Sequence, residues 1–119
     1  MTLNIRFVTI KHCKLFLYGN KMKYHWIGHF KEGTSDKIWG LIRLTDHNRY
    51  NDYVAVWGRR GRALQTKIHS NIDAWDADKL CNKKEDKGYN IINISRLEEV
   101  YPEFEEDLQK TAVWAMLKV

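Results

Sequence analysis

The sequence predicts a small α+β fold: an antiparallel sheet of about four to five strands in meander order, a helix packed on it, and an additional C-terminal helix. Three observations predict it. Short segments rich in aromatic and β-branched residues recur between residues 25 and 69, separated by turn-forming clusters. After Ser70 the apolar spacing becomes helical. The chain of 119 residues, 44% hydrophobic and 13% aromatic, has the apolar material for one core and not for several domains.

The first three strands are His25 to Phe30, Lys37 to Leu44 and Tyr53 to Trp57, and Ala63 to His69 is a fourth. Between them lie Glu32-Gly33-Thr34-Ser35-Asp36, the polar run Asp46 to Asp52, and Arg59-Arg60-Gly61-Arg62. Connections this short make sequential antiparallel pairing the default. Ser70 or Asn71 is placed to cap a helix whose inward face carries Ile72, Trp75 and Leu80, and Lys83-Lys84 suit the negative end of its dipole. Gly88 ends that helix, and Tyr89 to Ile94 alternates as a short fifth strand. Ser95-Arg96-Leu97-Glu98 has the form of a capping box. Pro102, with Glu103, Glu105, Glu106 and Asp107 in the first turns, opens a last helix to about Leu117, with Phe104, Leu108, Ala112 and Ala115 as its inward stripe.

Residues 1–23 form an N-terminal extension in which Phe7 to Ile10 and Leu15 to Tyr18 fit a hairpin covering a sheet edge. A product starting at Met22 retains every motif described below, and the intact mass of the native protein distinguishes the two starts. The apolar run before Lys11 is too short for a signal peptide or a membrane span. Two cysteines far apart, Cys13 and Cys81, suggest neither a disulfide framework nor a metal clip and fit a reduced, cytoplasmic protein.

Charge is unevenly distributed. Residues 1–70 carry +9 and residues 71–119 carry −4, for a net +5. That asymmetry fits a basic binding face backed by an acidic helical support. Its densest point is Arg59 to Arg62, where Gly58 and Gly61 flank two arginines and a third follows, beside Trp57. Guanidinium groups grip phosphate oxygens bidentately and an indole stacks on a sugar or base, so the turn suits a polynucleotide. Lys37 and Lys67 are further phosphate contacts, and His69 extends the same surface; Trp26 and Trp39 are read as core. His25 and His29, four apart on a strand, stand about 13 Å from each other and do not share one metal. No nucleophile elbow and no Walker loop is present, so the residues point to a binding module without catalytic residues, metal or cofactor.

Val56-Trp57-Gly58-Arg59-Arg60-Gly61-Arg62-Ala63-Leu64-Gln65-Thr66 resembles the signature of the WGR domain family. Gly33-Thr34-Ser35-Asp36-Lys37-Ile38-Trp39 is similar to the segment that opens that family's second strand, and Lys87-Gly88-Tyr89 to the Lys-x-x-Gly-Tyr that follows its helix. The sequence departs from the pattern at Arg62-Ala63-Leu64-Gln65, where a second glycine is frequent. The resemblance covers residues 24–94 as a WGR-like domain, leaving 95–119 as the C-terminal helix. It implies a small sheet with a helix packed on it and binding to DNA at ends, nicks or junctions, as in DNA-damage-activated poly(ADP-ribose) polymerases, where the Trp lies against a terminal sugar and the Arg links to neighbouring domains. The chain has no room for a transferase domain and is similar in size to the stand-alone members of bacteria and their viruses.

The resulting expectation is a DNA-binding module acting through Trp57, Gly58, Arg59, Arg60, Arg62, Lys37 and Lys67, with RNA left open because none of these residues reads a 2′-hydroxyl. The alternative is an adaptor that docks on a nucleic-acid-processing protein, using the apolar residues Trp114, Met116 and Leu117.

Overall fold

The structure, a computed structural model, describes residues 22–117. The N-terminal hairpin expected within residues 1–21 lies outside the described residues. Five strands form one antiparallel sheet: β1 (Lys23–Glu32), β2 (Ser35–Arg43), β3 (Asn51–Arg59), β4 (Gln65–Ile72) and β5 (Asn90–Ile91), in the order β4-β3-β2-β1-β5. The small α+β fold and the antiparallel meander of the first four strands follow the sequence pattern. β5, only two residues long, instead joins the far edge, with Gly28 opposite Ile91 and His29 opposite Asn90.

Helix α1 (Ala74–Asp86) connects the two opposite edges, β4 to β5, and must therefore cross the sheet. Its 13 residues give a length of about 20 Å. Four inter-strand steps come to about 19 Å. The helix is thus long enough to cross and hand the chain to the β1 side. Gly88, at φ +105°, closes it: the Gly88 N–H donates to the Glu85 carbonyl and the Tyr89 N–H to the Lys84 carbonyl, the paired bonds of a Schellman cap.

The central strands β2 and β3 are buried on both faces, which is why Ile38 to Ile42 and Tyr53 to Val56 are buried without alternation. One face carries Trp39, Leu41, Tyr53 and Ala55 and receives Ala77 and Cys81 of α1. The other carries Ile27, Ile38, Ile42, Val54 and Val56 and receives Tyr101, Phe104, Leu108, Val113 and Leu117. These last come from the segment after β5: a 3₁₀ turn (Ile94–Arg96) followed by short helices α2 (Leu97–Val100), α3 (Phe104–Gln109) and α4 (Trp114–Leu117). No helix among the described residues is long and apolar enough to cross a membrane.

Three local expectations are corrected. Strand pairing carries β4 on to Ile72, opposite Asn51, so the cap of α1 is Asp73, whose carboxylate accepts from the Asp76 N–H at 2.9 Å, and not Ser70 or Asn71. With that start the inward stripe contains Ala77 and Cys81, and Trp75, about 200° around the helix from Ala77, is 68% exposed. Ser95 does not cap α2; Asn93 accepts from the Ser95 N–H and hydroxyl, at 3.1 and 2.9 Å, and opens the 3₁₀ turn. The last helix is interrupted: the Thr111 hydroxyl donates to the Leu108 carbonyl at 2.7 Å and the helix resumes only at Trp114. The interruption turns Val113 and Leu117 inward in place of Ala112 and Ala115, exchanging methyl groups for larger apolar side chains at the core.

Candidate nucleic-acid interface

Strand alternation decides which side chains of the Trp-Gly-Arg turn can act together. On β3, Tyr53, Ala55, Trp57 and Arg59 face α1, and their cross-strand partners share that face: Lys37 opposite Arg59, Trp39 opposite Trp57, Gln65 opposite Trp57 on the other side, Lys67 opposite Ala55 and His69 opposite Tyr53. Helix α1 covers part of this face. Between the helix and β4 it leaves a groove of about 350 Å³. Trp39, Ala55, Trp57 and Leu80 give it an apolar floor, Lys67 and His69 form the strand wall, and Lys83, Lys84 and Lys87 form the helix wall. Trp39 is 5% exposed, as expected of a core residue, whereas Trp57 is half-buried with part of its surface open to the groove.

No carboxylate lines the groove, and among the described residues none lies within ion-pair distance of Lys67, Lys83, Lys84 or Lys87. The Lys84 ammonium stands 5.6 Å from the centre of the Trp39 ring. Burial, followed by the charges of Lys87, Lys37 and Lys83, lowers its pKa. Burial and Lys67 likewise lower that of His69. Both shifts have one physical meaning: positive charge is concentrated beside apolar surface without a counter-charge, so an anion entering the groove is stabilised. Lys37, 5.1 Å from the Phe30 ring centre, and Arg59 add a like-charged pair directly across β2 and β3.

The remaining predicted residues separate from this face. Arg60 is turned to the opposite side, where Nε donates to Asp36 at 3.0 Å, one terminal nitrogen to Glu103 at 3.1 Å and the other to the Val100 carbonyl, with the guanidinium 4.5 Å from the Tyr101 ring centre. Asp36 also holds His29 at 2.6 Å and Lys31 at 3.5 Å, and the hydrogen bond from His29, followed by the hydrogen bond and charge of Arg60, lowers its pKa below the usual carboxylate range. Arg60 thus ties the turn to the C-terminal segment. Gly58 also lies on that side; a side chain there would meet Leu64 at 3.1 Å, so the glycine admits the returning chain and does not present backbone to a ligand. Gly61, at φ +85°, is the turn residue, and the Arg62 N–H donates to the Arg59 carbonyl at 3.0 Å to close it. Arg62 is exposed at its tip.

His25 and His29 also diverge. A bulge between Tyr24 and Trp26 turns His25 toward Asp78 of α1, 2.6 Å away, while His29 reaches Asp36 on the other face. Cys81 is buried on the inward face of α1, and that burial pushes its thiol up to about 12; the neighbouring lysines do not activate it. A second cavity, of about 200 Å³, lies between Met22, Ile42 to Asp46 and Met116. Its cations Lys23 and Arg43 share the Asp46 carboxylate, each at 3.2 Å, which offsets one of their two charges.

Of the seven predicted site residues, the structure places Trp57 and Lys67 in the groove and Lys37 and Arg59 on the same face. By sequence alone, Lys83 and Lys84 suit the helix dipole and Trp39 the core. The cluster Lys83-Lys84 with Lys87 was the available signal, yet its place depends on the path of α1 across the sheet. No protein-family model, curated protein or solved structure matches the chain.

Proposed function

We propose that this protein is a nucleic-acid-binding module, acting on DNA at ends, nicks or junctions through the groove between α1 and β4. One observation carries the reading: an indole-floored groove walled by Lys67, Lys83, Lys84 and Lys87 with no carboxylate among its lining residues. A polyanion with flat apolar parts fits both properties at once. The resemblance of residues 24–94 to the WGR domain supports the same reading, since Trp57 of that signature lines the groove and Arg59 shares its face. The module acts as a binder and not as an enzyme, in association with cytoplasmic nucleic acid. An adaptor role has less support, because Leu117 is buried and Trp114 packs against the core, leaving only Met116 of that apolar set exposed.

The test is a salt titration of binding to blunt, nicked, recessed and single-stranded oligonucleotides, with RNA of the same sequence for comparison. About four phosphate contacts predict a log–log slope near −3 to −4. Lys67→Ala and Lys84→Ala should each make the slope shallower by about one contact. Absence of binding to every oligonucleotide at low salt would refute the function.

A further inference from the structure

We infer that the groove accepts a single unpaired nucleotide, with its base on the indole floor at Trp57 and its flanking phosphates on the Lys67 and Lys84 walls, so that the protein favours single-stranded DNA over intact duplex. The inference rests on the nucleic-acid reading above and narrows it to a substrate class.

Width is the first constraint. Trp39 lies on β2 beneath Lys84, and Lys67 lies on β4. Two inter-strand steps separate these strands, so the slot is about 10 Å across. B-DNA carries a groove about 12 Å wide on its own surface, so a duplex is too broad to enter such a slot. Volume agrees: 350 Å³ lies at the small end of the range for compact ligands, about 300–1,000 Å³, and suits one nucleotide unit and not a helix.

Chemistry makes the same selection. In a duplex the base faces are stacked on one another and only edges and backbone are offered to a protein. The apolar floor would then remain empty, and only rim cations would touch phosphate. An unpaired base brings its face to the floor, as in single-strand-binding grooves where aromatic side chains carry stacked bases above a basic track. No Asn, Gln, Asp or Glu lines the groove to bond adenine or cytosine edges, and its lysines stand on the walls where phosphates pass. Recognition is therefore tolerant of sequence. Finally, cations stand on both walls, as required by a strand that passes through with a phosphate on each side of the inserted base.

The experiment compares three labelled probes of equal length with the full chain at about 50 mM salt: a ten-nucleotide thymidine strand, a ten-unit abasic strand with the same phosphates, and a blunt ten-base-pair duplex. The thymidine strand should bind about 5- to 150-fold more tightly than the abasic strand, the ratio equivalent to stacking one base. It should also bind more tightly than the duplex despite the duplex's denser charge. Tryptophan fluorescence should be quenched by the thymidine strand and not by the abasic one, with the quenching reduced in Trp57→Phe, a variant that keeps an aromatic ring in the sheet. Equal affinity for the thymidine and abasic strands, or for strand and duplex, overturns the inference while leaving nucleic-acid binding in place. Failure of all three probes to bind removes both.

Discussion

Arg59 and Arg60 are neighbours in sequence, but strand alternation sends them to opposite faces of the sheet, so truncating each should disturb a different property. Arg60→Ala removes the hydrogen bonds to Asp36, Glu103 and the Val100 carbonyl and the contact with the Tyr101 ring. Hydrogen bonds to charged groups contribute about 1.5–3 kcal/mol when well shielded. Three considerations reduce the sum. Glu103 is 51% exposed, so its pair contributes at most about 1 kcal/mol. Asp36 keeps His29 and Lys31 and is not left as a lone charge. The contacts also share one side chain and do not add fully. A loss of about 2–3 kcal/mol follows, which for a domain of this size lowers Tm by roughly 10–20 °C. Arg59→Ala removes an exposed charge that faces Lys37 across the strands, so stability should stay within about 0.5 kcal/mol while oligonucleotide affinity falls. Thermal melts by circular dichroism, paired with binding isotherms, measure both. Limited proteolysis should additionally cut the segment after Tyr101 sooner in Arg60→Ala. If Arg60→Ala melts like the wild type, or Arg59→Ala loses as much stability, the assignment of the two arginines to separate faces is wrong.

Two further predictions concern titration and reactivity. His69 has a lowered pKa from burial and Lys67, so near neutral pH it is largely uncharged in the free groove; a bound phosphate favours its charged form, and binding should take up a proton. Affinity should therefore rise as pH falls on the acid side of neutrality, and His69→Gln should flatten that rise; an unchanged profile in the variant would overturn the assignment to His69. Cys81, with its thiol raised to about 12 by burial, should resist alkylation at pH 8 in the folded protein and react fully once unfolded; a Cys13→Ser background isolates the signal, and rapid labelling of native protein would contradict the packing of α1.

Much of the fold was legible because it rests on local physics. Period-two runs, the turn glycines and the change to helical spacing after Ser70 are short-range signals, and each produced an element close to where it was expected. Boundaries were less legible wherever pairing competed with capping. Asp73 displaced Ser70 and Asn71 as the cap because ladder bonds extend β4 to Ile72, and that shift rotated Trp75 out to solvent. Ala112 and Ala115 have the spacing of one continuous last helix. Core packing prefers the larger Val113 and Leu117, which the break after Lys110 turns inward.

For the site, the sequence by itself determined the chemistry available: an excess of cations before residue 71, a Trp beside arginines, and a turn built around Gly61. That Trp57 and Arg59 share a face follows only once β3 runs on past Trp57 to Arg59, paired with Lys37. Only the tertiary structure decided which charges meet. Residues 83–87 reach Trp57 because α1 must cross from β4 to β5, a consequence of placing a two-residue strand at the far edge. Arg60 leaves the basic face because Asp36, Glu103 and the Val100 carbonyl, 24 to 43 positions away along the chain but brought close by folding, offer it better-shielded partners than solvent does. Charge along a chain is a local quantity, whereas the field in a groove is a sum over elements whose distances are fixed only once the sheet has been covered on both faces.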